Sequence, residues 1–118
     1  MGSSRVIKTG SDVEVSPLMA ELRERLDAEG IPWCDVSDEL SGEDYVSHFE
    51  RTKVFDQSGK QLASCIYGYN TMYGKKSGSS YGWPGMLEGW MCDQDEPVPM
   101  TVDEIMGEVS KLWRESLS

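Results

Sequence analysis

The chain has no run of about 18 apolar residues, which rules out a membrane-spanning helix. Its first residues carry no apolar core of the kind a secretion signal needs, so a cytoplasmic protein is the expectation. The three cysteines, Cys34, Cys65 and Cys92, are odd in number and far apart. None forms the close C-x₂₋₄-C pair that structural zinc sites use, so three reduced, buried thiols are expected and no metal or other cofactor. Histidine occurs once, as His48, with no nucleophile beside it in sequence. A lone histidine without a reaction partner reads as structural, and the chain as non-enzymatic.

Basic residues are also scarce, and unevenly so. Against a net charge of −10, no Lys or Arg stands between Lys76 and Lys111. That gap holds Glu88, Asp93, Asp95, Glu96, Asp103, Glu104 and Glu108. A second group, Asp35, Asp38, Glu39, Glu43 and Asp44, falls between Arg25 and Arg51 with no base among them. This balance excludes direct contact with nucleic-acid phosphates, which needs Lys/Arg patches. It suits either a solvated acidic surface or a basic protein partner.

The 70–85 segment concentrates glycine, tyrosine and the pair Lys75-Lys76. Glycine lets the backbone turn tightly or approach a partner closely, and the rings offer flat, rigid contact area. The order G-x-x-x-x-G-K-[ST] of a phosphate-binding loop is not met. Even so, Tyr73, Lys75, Lys76, Tyr81 and Trp83 make this loop the place where a nucleotide or other small ligand would bind. Trp90, by contrast, is expected to complete the core from a strand. Asp93 to Glu96 lack the ligand alternation and turn glycine of a calcium loop and read as a solvated linker.

Periodicity divides the rest. Residues 1–15 carry no convincing pattern and are expected to form a flexible arm before a single domain, 16–118. Ser16-Pro17 opens a helix over 17–29 with Leu18, Met19, Leu22 and Leu26 on one stripe, and Gly30 closes it. A short strand at 31–36 and an acidic loop at 37–44 precede a hairpin of strands 45–55 and 61–69 about a turn at Gly59. Pairing Phe55 with Gln61 sets Phe49 opposite Tyr67, Arg51 opposite Cys65, and His48 opposite Gly68, on the face away from Cys65. Neither face is purely apolar, so the buried side stays open. A strand follows at 86–92. Thr101 and Glu104 then make a capping box, with Met100 and Ile105 as a hydrophobic staple, for a helix over 102–116. The expectation is an α+β fold: a small antiparallel sheet of three to four strands with an N-terminal and a C-terminal helix.

Four segments carry a resemblance: Cys65-Ile66-Tyr67-Gly68-Tyr69, Ser80-Tyr81-Gly82, Gly85-Met86-Leu87-Glu88-Gly89-Trp90, and Met100-Thr101-Val102-Asp103-Glu104-Ile105. Together they resemble small accessory proteins of phages and prophages with a "SYG…GLLE" run and a "lTaeev" helix start. The resemblance covers the C-terminal half, and Gly85-Met86-Leu87-Glu88 departs from the usual run. It implies a mobile-element protein, a class that includes inhibitors of bacterial defence, and assigns no catalytic residue. With the acidic pattern it points to a non-enzymatic inhibitor of a host defence protein, occupying that partner's basic nucleic-acid site through Glu88, Asp93, Asp95, Glu96, Asp103, Glu104 and Glu108. The alternative is a protein that binds or sequesters a nucleotide at the 70–85 loop. Homo-oligomerisation stays open on either reading.

Overall fold

A computed structural model describes residues 6–42, 45–72, 75–77 and 85–117. The backbone is organised around one long hairpin, β4 (Tyr45–Phe55) and β5 (Gln61–Met72). Short strands lie end to end along each of its outer edges. On the β4 side, β3 (Asp38–Ser41) pairs with residues 46–49 and β2 (Trp33–Asp35) with residues 52–54. On the β5 side, β7 (Leu87–Met91) pairs with residues 63–66 and β6 (Lys75–Ser77) with residues 70–72. β1 (Val6–Thr9) adds to β3, and β8 (Val98–Met100) adds to β7. The result is one sheet of eight strands among the described residues, antiparallel throughout its pairings, rather than three to four.

The extra strands come from segments too short or too polar to show a period-2 signal. The 37–44 segment, expected as an acidic loop, contains β3, which pairs with β1 on one side and β4 on the other, and Glu39 finds partners there in His48 and Lys8. Within the segment expected as an arm, Val6–Thr9 pairs with β3 and Val13 is 5% exposed. β6 takes three residues from the expected glycine-rich loop.

Both helices form where the capping chemistry places them. In α1 (Pro17–Glu29) the Ser16 hydroxyl accepts from the Met19 amide, and Pro17 starts the first turn. Gly30 ends it at φ +70°, donating to the Asp27 carbonyl, while the Ile31 amide donates to the Leu26 carbonyl. That pair of bonds is a Schellman ending, and its left-handed residue favours glycine. In α2 (Val102–Ser116) Thr101 and Glu104 exchange both bonds of a capping box.

The helices pack side by side on one face of the sheet. Met19, Leu22 and Leu26 of α1 and Val102, Ile105, Met106 and Val109 of α2 join Val54, Ala63, Cys65, Leu87, Met91 and Met100 in a single core. The close approach of α2 needs Gly89, where a Cβ would lie 2.6 Å from Met100 Sδ and 3.4 Å from Ile105 Cγ1.

The hairpin register differs from the expected one by a single residue. Phe55 does oppose Gln61, but Val54 opposes Ala63, so Leu62 is an extra residue in a β-bulge. Glu50 therefore faces Tyr67, Thr52 faces Cys65, and His48 faces Tyr69. A one-residue slip exchanges the faces of a strand. His48, Glu50, Thr52 and Val54 consequently share the helix-facing side with Ala63, Cys65 and Tyr67. Phe49, Arg51 and Lys53 take the other side, where the Arg51 guanidinium lies 4.9 Å from the centre of the Phe49 ring.

Candidate functional site

Two places gather chemistry: an acidic corner at β7, β8 and the start of α2, and a cleft at the N-terminal end of α1.

In the corner, Asp93, Asp95 and Glu96 are exposed on the turn joining β7 to β8. Gln94 holds that turn. Its side-chain carbonyl accepts from the Met91 amide at 3.0 Å, and its backbone carbonyl accepts from the Trp90 indole N–H at 3.1 Å. Trp90 is 45% exposed, on the face away from the helices, and so does not complete the core as expected. Val98, on β8 opposite Gly89, is exposed as well. Glu88 sits on β7 between Ile66 and Pro99, half-buried, and this burial raises its carboxyl above the usual range.

Asp103 and Glu104 have partners within the fold. Glu104 is committed to the capping box. Asp103 forms an ion pair with Arg25 of α1, a base that the local sequence does not contain. Glu108 is half-buried on α2. The structure thus leaves Asp93, Asp95 and Glu96 as the exposed acids of the turn, and turns Asp103 and Glu104 toward helix structure.

Of the loop residues, Lys75 and Lys76 stand on β6, opposite Met72 and Thr71. Tyr73, Tyr81 and Trp83 lie outside the described residues.

The cleft is invisible in the linear sequence. It has a volume of about 360 Å³ and is lined by residues from β1, the segment before α1, β3, β4 and β5. His48 forms its floor, 5% exposed. Nδ1 lies 2.6 Å from Glu39 Oε2, and Nε2 lies 2.6 Å from Glu50 Oε2. Glu50 is itself only 1% exposed, and its other oxygen accepts from both the amide (2.8 Å) and the hydroxyl (3.0 Å) of Ser16. A carboxylate at the first turn of a helix meets free N–H groups and the positive end of the helix dipole, which is why the core tolerates it there. Glu39 reaches outward to Lys8, whose ammonium is 3.7 Å from Oε1.

A parallel polar pin runs beside it. Arg23 of α1 donates to the Thr52 hydroxyl (2.8 Å), to Asp35 (3.0 Å) and to the Arg51 carbonyl, and lies over the Trp33 ring. Burial pushes the Asp35 carboxyl up, but hydrogen bonds from Ser37 and the Arg23 charge outweigh it and hold the group below the usual carboxylate range.

These arrangements limit the chemistry. His48 and Cys65 share a face, contrary to the sequence-based register. Their strand positions, Thr52 being opposite Cys65, are still four residues apart, about 13 Å at the usual rise of a strand. Burial also pushes the Cys65 thiol up to about 12, leaving it uncharged and poorly nucleophilic. Cys34 and Cys92 are exposed, not buried as expected, because they face away from the helices or lie past the end of β7. Both ring nitrogens of His48 are engaged on opposite sides of the ring, so Glu39, His48 and Glu50 do not converge on one point. No group of three His, Cys, Asp or Glu side chains suited to a metal ion occurs among the described residues.

Comparison of the chain with models of protein families, with curated proteins and with solved structures finds no match. No helix among the described residues is long and apolar enough to cross a membrane.

Proposed function

We propose that the protein is a non-enzymatic binding protein whose acidic β7–β8 corner occupies a basic, nucleic-acid-binding surface on a host bacterial protein. The observation that carries this reading is the turn at Asp93, Asp95 and Glu96, exposed, free of neighbouring bases in sequence, and braced by Gln94. Bracing limits the side-chain and backbone freedom lost on docking, so more of the electrostatic attraction appears as affinity. Trp90, exposed on the adjoining strand, supplies the kind of aromatic anchor that concentrates binding energy. The resemblance to phage accessory proteins supplies the setting, inhibition of a defence protein that must hold nucleic acid to work.

The test is affinity capture from bacterial lysates expressing defence systems, followed by competition. A partner should be released by duplex DNA or RNA and by high salt, and should not be retained by a D93N/D95N/E96Q variant. A partner held equally by wild type and variant, or indifferent to nucleic acid, would overturn the proposal.

A further inference from the structure

We propose that Glu39, His48 and Glu50 form a proton-operated latch at the floor of the cleft, tying the β1–β3 edge to the hairpin. The geometry requires a proton on each side of the imidazole. At 2.6 Å from a carboxylate oxygen, neither ring nitrogen can present a lone pair, since two acceptors would then face each other. The closed trio therefore holds two protons between three groups, most simply as an imidazolium between two carboxylates, with a net charge of −1. Neutral imidazole carries one ring proton only. When the second proton leaves for solvent, the trio becomes −2 and one of the two contacts has to open.

The structure identifies which one. Glu50 is fixed by two bonds from Ser16 and is sealed from water. Glu39 is on the short strand β3, its side chain is 17% exposed, and its remaining oxygen is paired with Lys8, at 3.7 Å and itself 45% exposed. The remaining ring proton stays on Nε2 toward Glu50, and the Glu39 carboxylate swings toward solvent. Among the described residues, the other charged or titratable groups facing the site are Lys8 from β1, Glu14 before α1, and Tyr67 from β5. Lys8 moves with Glu39, and Glu14 adds repulsion once the trio gains negative charge. β1 pairs only with β3 in the described sheet, so loosening β3 at Glu39 loosens both strands.

Imidazole ¹⁵N spectra and amide hydrogen exchange on the full chain, followed together as pH is raised, test the latch. In the closed state both ring nitrogens should be protonated. As the second proton is lost, protection at Val6–Thr9 and Asp38–Ser41, corrected for intrinsic exchange, should fall about tenfold to hundredfold, the factor carried by one charge-assisted hydrogen bond. Amides of the β5–β7 pairing serve as the internal reference and should not follow. Glu39→Gln supplies an amide that donates to the bare Nδ1, so this variant should stay closed and lose the pH dependence of β1 and β3. A singly protonated ring with the Glu39 contact intact would overturn the latch. So would β1–β3 protection with the same pH dependence in wild type and Glu39→Gln.

Discussion

Gly89 is the residue on which the seat of α2 depends most directly. Met100 Sδ occupies the space a side chain would take, and Ile105 Cγ1 borders it. Gly89→Ala should destabilise the protein by about 1–3 kcal/mol, the usual cost of overpacking a core, because Met100 and Ile105 are both buried and have little room to retreat. Denaturant titration of variant and wild type gives the difference directly. At Asp35 the expected effect is on acid tolerance. Its carboxyl is depressed in the folded protein, so its stabilising contribution is present above the ordinary carboxylate range and is lost as pH falls through the folded value. Asp35→Asn should flatten that part of the acid limb in a stability–pH profile while leaving Arg23 its bond to Thr52.

At the scale of elements, the helices were legible because their information is local. Ser16, Pro17, Gly30, Thr101 and Glu104 each act within one turn of their own position, and both helices run over the residues their caps specify. Thr101→Ala should cost roughly 0.5–2 kcal/mol through the lost capping box, without a change of fold. Urea melts that overlay would refute it. The strands were less legible because a strand is defined by its partner. Nothing near Asp38 announces that Phe49 will pair with it, and nothing near Leu62 announces that it will be passed over. The cleft depended on both. An uninterrupted hairpin sets His48 on the opposite face from Cys65, and with 37–44 expected as a loop Glu39 has no strand neighbour to bring it to His48. The i, i+2 run His48, Glu50, Thr52, Val54 was the one available signal, a strand face that turns from polar to apolar toward the helices.

Across the whole molecule, the helix layer divides the protein's chemistry in two. One thiol lies beneath it and two lie outside. Cys34 and Cys92 should react with a thiol reagent in the native state, while Cys65 should react only on the timescale of unfolding. Three equally fast thiols would contradict the packing of β5 against the helices. Charge is divided as well. If the acidic turn is the docking element, a D93N/D95N/E96Q variant should bind its partner with a slower association rate and a flatter salt dependence. Its stability should be nearly unchanged, because the three side chains are exposed. Stopped-flow association at several ionic strengths separates this from an aromatic contact through Trp90, which would act mainly on dissociation.

The bulge at Leu62 also sets a parity rule for how this chain tolerates insertions and deletions. Deleting Leu62 would remove the extra residue and restore the uninterrupted alternation that a simple hairpin prefers. With the Phe55–Gln61 end held by the turn, Ala63 would then follow Gln61 directly and still oppose Val54, so Ala63 and Cys65 would keep the helix-facing side. A deletion at Leu62 thus leaves the facing of β5 as it is, a deletion beyond it, at Ser64 for example, exchanges inside for outside along the rest of the strand, and lengthening the 56–60 turn leaves every pairing beyond it in place. Length variation among any descendants of this sequence should accumulate at the turn and be excluded from residues 63–67.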